Sequence, residues 1–454
     1  MTGSDLDAER NRVSARLSRY ARVGVGLGGV AARIASGRLF GTDPTDRGNA
    51  LALTQALGGL KGPLMKVAQL MATIPDALPP EYATELATLQ SNAPPMGAAF
   101  VKRRMIAELG TDWRTHFADF DLHPTAAASL GQVHRASTSD GQRLAVKLQY
   151  PDMASAVEAD LQQLVVLFAL HRQFDSAVDT REIAKEIAER IREELDYRRE
   201  AKHAALYQNI LADEPLVRVP VIRSELSTTR LLAMQWLEGK PLLSYKASNT
   251  ETRNRLATAM FKAWWLPFSR HGVIHGDPHL GNYTVFEENE TPTGINLLDY
   301  GCIRIFPAKF VGGVVDLYRG LLENDQERVV HAYETWGFKG LKKEVIDILN
   351  LWARFIYGPL LDDRTRTVAD GVAPGEYGRK EAFLVHKALK EKGPVTVPRE
   401  FVFMDRAAIG LGGVFLHLNA ELNFYRLFNE AIDGFSVDQV AQRQAKALEG
   451  AGLT

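Results

Sequence analysis

The sequence predicts an α+β chain of two lobes, a small mixed one and a larger helical one, behind a helical preface. Three observations predict it. Short strand-like runs gather between residues 125 and 240, helical patterns fill most of 250–449, and another helical stretch precedes both. A chain of 454 residues that is 46% hydrophobic can bury one large core or two ordinary ones, which suits at least two lobes.

The preface to about residue 95 carries a broad apolar stripe: Leu51, Leu53, Leu57, Leu60, Leu64, Met65, Val67, Ala68, Leu70 and Met71. Pro75, Pro79 and Pro80 close it, a second helix is expected over Pro80–Gln90, and a third over Ala98–Leu109 with Gly110 as its stop. The texture changes after Thr125. Val133–Ser137 and Gln142–Gln149 read as strands, and Ser139-Asp140-Gly141 between them is a hairpin signal. Helices are then expected over Met153–Phe174 and Thr180–Leu211, followed by strands over Val217–Arg223 and Arg230–Trp236. A helix over 250–270, the run Val273-Ile274, a loop over Gly276–Asn282 and strands near Tyr283–Val285 and Ile295–Leu298 complete the pattern, ahead of a largely helical remainder. No internal repeat or low-complexity block interrupts it.

Composition removes several function classes. With 54 basic against 55 acidic residues, the chain lacks the basic excess of a nucleic-acid binder. A single cysteine, Cys302, excludes an internal disulfide framework and a cysteine-built zinc site, and suits a reducing, intracellular compartment. Met1–Arg12 is polar and charged, unlike a secretory signal, and no run approaches the roughly 18 apolar residues of a membrane span. Val23–Ala32, with Gly24 and Gly28, stops at Arg33, and Leu164–Leu170 stops at His171.

Chemistry concentrates in Val273-Ile274-His275-Gly276-Asp277-Pro278-His279-Leu280-Gly281-Asn282 and Leu297-Leu298-Asp299-Tyr300-Gly301. Phosphoryl transfer asks for a carboxylate that orients or deprotonates the acceptor and for oxygen ligands to a metal. An Asp with an Asn five residues later supplies both, and a second Asp before an aromatic residue and Gly supplies another ligand. Asp277, Asn282 and Asp299 match in order and spacing. Aspartates beside glycine are ordinarily turn residues; the joint pattern sets these apart.

Leu144-Ala145-Val146-Lys147 is a strand ending in lysine, suited to grip nucleotide phosphates once a carboxylate orients it. Glu200 is the expected partner, in the charge-rich segment Arg192–Ala201, which would put Glu200 on one helix side with Asp196 and Tyr197. The small lobe has no G-x-G-x-x-G. In its place stands Pro124-Thr125-Ala126-Ala127-Ala128-Ser129-Leu130-Gly131, in which alanines restrict the backbone and Ser129 retains a hydroxyl donor.

Ala126–Ser129, Lys147, Glu194-Leu195-Asp196, Glu200 and the H-G-D-x-H-x-G-N loop together resemble the UbiB/AarF family, atypical kinase-like proteins tied to ubiquinone biosynthesis. The resemblance covers roughly residues 50–430. It implies a bilobal protein-kinase-like fold, with Lys66-Val67-Ala68-Gln69 standing where the family has K-x-G-Q. It further implies that the face carrying Lys66 and Gln69 packs over the cleft against Glu194 and Asp196, where a protein substrate would otherwise dock. Ala68 departs from the family glycine. Many bacterial members continue into membrane spans, whereas Gln439–Thr454 is polar, so a soluble or peripherally attached variant is expected.

The combined expectation is an atypical kinase or ATPase that binds ATP or ADP with Mg²⁺ or Mn²⁺ and supports ubiquinone biosynthesis. Its acceptor would be small or lipid-like rather than a protein. Asp277 would be the base, Asn282 and Asp299 the metal ligands, Lys147 the phosphate grip and Glu200 its positioner. Ala126, Ala127, Ala128 and Ser129 would cover the phosphates, and Gln235, Trp236 and Leu237 would meet the adenine. Expected partners are a nucleotide, a lipid or quinone-precursor ligand, a peripheral contact with the inner membrane from the cytoplasm, and a biosynthetic complex, with no nucleic acid. The expected segments are a tail over 1–45, a cleft-covering extension over 46–120, a small lobe over 121–240 and a helical lobe over 241–454. Two alternatives stay open: a small-molecule kinase of the aminoglycoside or choline type, and a nucleotide-gated, non-catalytic lipid-binding scaffold.

Overall fold

The computed structural model describes residues 96–453, apart from 129, 152, 156, 159–160, 162–180, 339–340, 370, 373–377, 393–397 and 399. The helices expected over 51–71 and 80–90, the stretches Val23–Ala32 and Leu164–Leu170, and Lys66, Gln69 and Ser129 lie outside the described residues. The described chain forms two compact units. One comprises residues 96–161, 181–198 and 223–236, and the other 199–222 and 237–453.

The smaller unit is built on an antiparallel sheet. Its strands are β1 (Asp119–Phe120), β2 (Ala126–Ala128), β3 (Gly131–Ser137), β4 (Arg143–Gln149) and, later in the chain, β6 (Leu231–Gln235), in the order β1-β3-β4-β6 with β2 also on β3. The β3–β4 hairpin turns where Asp140-Gly141 stands, with Gly141 at φ +81 and Ser137 opposite Arg143. Glycine suits that left-handed position because a β-carbon would strain it. Leu144, Val146, Leu148, Leu231 and Ala233 form a buried cluster with Trp113, Phe117 and Phe120. Helix α1 (Ala98–Leu109) adds Val101 and Met105 to that cluster and ends at Gly110, as its sequence predicts. The described end of the preface, 96–120, is therefore part of this unit's core.

One expected helix is two. The segment 181–210 breaks into α2 (Arg181–Glu193) and α3 (Tyr197–Ile210), with Glu194, Leu195 and Asp196 in the turn between them. The Asp196 carboxylate accepts from the Arg198 backbone N–H at 3.0 Å. An aspartate that bonds backbone two residues on favours a helix start over a helix interior. Asp196 thus does not share a helical face with Glu200, contrary to the spacing argument; Tyr197 does.

The larger unit holds a four-stranded sheet, β5 (Val217–Arg218), β10 (Thr291–Leu297), β9 (Tyr283–Glu288) and β7 (Lys240–Pro241), in that order. A two-stranded sheet joins β8 (Val273–His275) to β11 (Ile303–Ile305). The expected strand over Val217–Arg223 shrinks to β5, which pairs parallel with β10 in this unit. Helix α4 (Thr250–His271) starts where Asn249 caps the Thr252 N–H and ends at Gly272, φ +64. Around it lie α5 (Ala308–Glu323), α6 (Gln326–Thr335), α7 (Lys343–Tyr357), α8 (Arg379–Lys392), α9 (Phe401–His417), α10 (Phe424–Ala431) and α11 (Val437–Gly450). Leu256, Met260, Phe261, Trp264 and Phe268 of α4 are almost wholly buried, as the central helix of such a packing requires.

Asp405 of α9 is a costly element of this core. The residue keeps some exposed surface, but its carboxyl lies among protein atoms, where the Trp352 indole N–H donates to it at 3.1 Å. Burial pushes the carboxyl from 3.8 up to about 7. A folded-state value above the unfolded one gives stability that is present below the unfolded value and lost as pH rises through the folded one. Stability should therefore fall between about pH 4 and 7, by ~4 kcal/mol at most, and Asp405→Asn should flatten that slope. Urea midpoints of both proteins at pH 5 and 8 check this; parallel pH profiles would contradict it.

Candidate active site

In the smaller unit, Lys147 sits on β4 opposite Val133 and Leu232, only 5% exposed. Its ammonium lies 5.0 Å from the centroid of the Tyr197 ring, a cation–π contact for a buried charge. The alanine run forms a strand: Ala126, Ala127 and Ala128 pair with Val133, Gln132 and Gly131. This departs from the expected loop, and β-geometry asks nothing of an alanine that glycine alone could give. A β-carbon on Gly131 would overlap the Leu148 carbonyl, so β3 and β4 meet there at backbone distance.

Opposite Ala127, the buried Gln132 side chain accepts from the Met96 N–H at 2.7 Å and donates to the Met96 carbonyl at 3.3 Å. Its nitrogen also meets His134 Nε2 at 2.9 Å, and His134 Nδ1 lies 2.8 Å from the Asp121 carbonyl. Because a carbonyl only accepts, His134 carries its proton on Nδ1. Burial lowers its pKa and keeps it neutral. The Gln149 side chain donates to the Leu195 carbonyl at 3.1 Å, and the Tyr197 N–H to Thr229, so the Glu194-Leu195-Asp196 turn is fastened to this unit. Glu194 is buried there.

At the end of β6, Gln235 is exposed and Trp236 and Leu237 partly so. The Trp236 amide donates to the Arg143 carbonyl at 2.8 Å, and the Arg135 guanidinium lies over its ring at 4.4 Å. That amide is thus committed to the sheet. In the larger unit, the Asn296 side chain holds the Glu238 carbonyl at 2.8 Å.

The larger unit brings Asp277, Asn282 and Asp299 into one hydrogen-bonded frame whose centre is His275. His275 is fully buried at the end of β8. Its Nδ1 accepts from the Asp277 N–H at 3.1 Å, so Nε2 carries the proton and donates to the Asp299 carbonyl at 2.8 Å. Burial lowers the His275 pKa and outweighs the opposing pull of Asp299 and Asp277. Trp264 packs at 5.2 Å from the imidazole and Tyr207 meets it edge-on. The Asn282 amide donates to the Asp277 carbonyl at 2.9 Å, which directs its oxygen the other way. Gly301 N–H donates to Asp299 Oδ1 at 3.0 Å, a turn fixed by its own aspartate. Glu200, on α3, accepts weakly from the Tyr300 N–H at 3.5 Å, and His203, one turn later, donates to the Tyr300 carbonyl at 3.2 Å.

Three residues escaped the sequence reading. His275 was visible in the motif but had no role assigned. Arg406 of α9 donates to Asp277 Oδ1 at 2.6 Å, both side chains nearly buried, and Gly410 abuts Pro278. The signal for Arg406 was a charged pair, Asp405-Arg406, inside the apolar run 401–417.

A small sheet-based unit with a buried strand lysine, and a helical unit with an Asp…Asn loop and an Asp-aromatic-Gly turn, define a protein-kinase-like molecule. The model of the ABC1 atypical kinase-like domain matches residues 88–333, more than half of the chain. The chain belongs to this family, the UbiB/AarF group of atypical kinase-like proteins. It is 28% identical over 368 residues to the rat (Rattus norvegicus) atypical kinase COQ8B, mitochondrial, spanning 76% of this chain and 69% of that protein. It is 32% identical over 273 residues to AarF domain-containing protein kinase 1 of Xenopus laevis, spanning 59% of this chain but only 52% of that one. Among solved structures, Rv3197 of Mycobacterium tuberculosis in complex with erythromycin is similar, with a TM-score of 0.56 and 27% identity over 84% of this chain and 94% of that chain. Among the described residues, no helix is long and apolar enough to cross a membrane.

Proposed function

We propose that this chain binds ATP or ADP with Mg²⁺ (or Mn²⁺) and turns ATP over, by hydrolysis or by transfer to a small or lipid-like acceptor, in support of ubiquinone biosynthesis. The observation that carries this reading is the His275-centred frame, which ties the loops of Asp277, Asn282 and Asp299 to one another. Phosphoryl transfer depends mainly on positioning and electrostatics, and such a frame supplies the first.

Asn282 and Asp299 offer hard oxygen donors that fit a hard divalent cation. When bound, the metal would neutralise charge on the phosphates. Asp277 would orient the attacking hydroxyl or water and take its proton. Lys147 would hold the phosphates, with Glu200 as its positioning partner. Ala126, Ala127, Ala128 and Ser129 would flank the nucleotide, as would Gln235, Trp236 and Leu237. Lys66 and Gln69 would face Glu194 and Asp196 and would exclude protein substrates. A quinone-precursor or other lipid ligand, a biosynthetic complex and a peripheral membrane contact are the partners this role asks for; names such as COQ8B among the relatives support it.

Mg²⁺-nucleotide should stabilise the protein by about 2.7 kcal/mol at a hundredfold excess over Kd. Melting curves with ADP and ATP, with and without Mg²⁺, read that effect, and phosphate release from ATP should drop sharply in Asp277→Asn. Identical melting with and without nucleotide would sink the proposal.

A further inference from the structure

Helix α9 turns one face toward the loop that carries Asp277. Arg406 and Gly410 lie on that face one helical turn apart, at i and i+4. Arg406 donates to Asp277 Oδ1 at 2.6 Å, and its side chain is 7% exposed against 11% for Asp277. At Gly410 a β-carbon would overlap Pro278 Cγ, so the helix backbone lies directly on the next residue of the loop. Met404, Ala407, Leu411 and Val414 bury α9 in the core, which gives this face a rigid base.

We infer that Arg406 is a positioning residue for the reaction, and that α9 clamps the catalytic loop by charge at Asp277 and by close approach at Pro278. The inference rests on the ATP turnover proposed above. A charge-assisted hydrogen bond to one oxygen fixes the rotation of the carboxylate. The guanidinium holds the carboxylate through Oδ1. In this role Arg406 acts on the reaction through Asp277.

The test uses the full chain and steady-state phosphate release from ATP-Mg²⁺. Arg406→Ala should lower kcat by roughly 100-fold, the scale of a misplaced catalytic group, with KM for ATP and the nucleotide-induced melting shift near wild type. Free guanidinium chloride at millimolar concentration should restore part of kcat in that variant and none in Asp277→Asn. Arg406→Lys should fall between, since an ammonium keeps the charge but loses the planar fork. Gly410→Ala reaches the same loop without removing a charge and should also lower kcat at constant KM, so the inference stays testable even if Arg406→Ala does not fold. Unchanged kcat in both folded variants would overturn it. A rise in kcat would overturn it too, by making the contact a brake. If the wild type neither binds nor turns over ATP, the functional reading fails; if it does and the variants match it, only the clamp fails.

Discussion

Replacing His275 by alanine is expected to destabilise the protein by about 4 kcal/mol or more, a large part of the ~5–15 kcal/mol that holds a typical domain together. The substitution leaves the Asp277 N–H and the Asp299 carbonyl without the imidazole that joins them. A buried polar group stripped of its partner costs about 1–3 kcal/mol, and here there are two. The vacated space beside Trp264 and Tyr207 adds a cavity penalty of about 1 kcal/mol or more. Urea denaturation should show a much lower midpoint for His275→Ala. His275→Gln, which keeps one donor and one acceptor, should recover part of the loss. A midpoint within error of wild type for His275→Ala would mean that the two loops hold their places without the histidine.

Asp299→Asn is expected to remove the metal dependence of nucleotide binding while leaving the fold intact. Asparagine keeps an oxygen that can accept from the Gly301 N–H, so the local turn has its bond in either protein. What it loses is the negative charge that a hard divalent cation requires. Metal affinity should fall at least about 100-fold, since loss of merely supporting groups already costs 10–100-fold. Melting curves over a Mg²⁺ titration at fixed ADP separate the outcomes: the wild type should show a saturable metal-dependent rise, and the variant should stay flat. A variant curve that superimposes on the wild type would take Asp299 out of the metal site. So would a loss of stability without nucleotide, because the effect would then be on the fold.

The parts of this molecule legible in the sequence are those governed by local rules. Ala98–Leu109 stops at Gly110 because the stop is a backbone preference of one residue. Asp277, Asn282 and Asp299 could be picked out because two short loops carry them, and the structure joins those loops through His275. The break at Glu194-Leu195-Asp196 was missed because its charge pattern continues without interruption, while the capping of Arg198 by Asp196 outweighs it. Val217–Arg223 has the composition of a strand, but how much of it pairs depends on β10, some eighty residues downstream. The partner of Arg406 was hidden for the same reason, although the Asp405-Arg406 pair stands out within its apolar run. The meaning of Arg406 lies in a contact across 129 positions that no local pattern records.

Beside the return bond from Gln132 to the Met96 carbonyl, one series of hydrogen bonds runs in a single direction from the Met96 N–H through Gln132 and His134 to the Asp121 carbonyl. With the Met96 N–H donating into Gln132, every later proton in the series has only one place to be. A second proton on His134 would set two donors face to face. Gln132 could answer only by turning its amide, which would confront the Met96 N–H with another N–H. Acid arriving at β3 is therefore felt at Met96, where the chain enters α1 from the stretch that bears Lys66 and Gln69. The alanine strand and the road to that stretch share a single knot, and a neutral histidine keeps it tied.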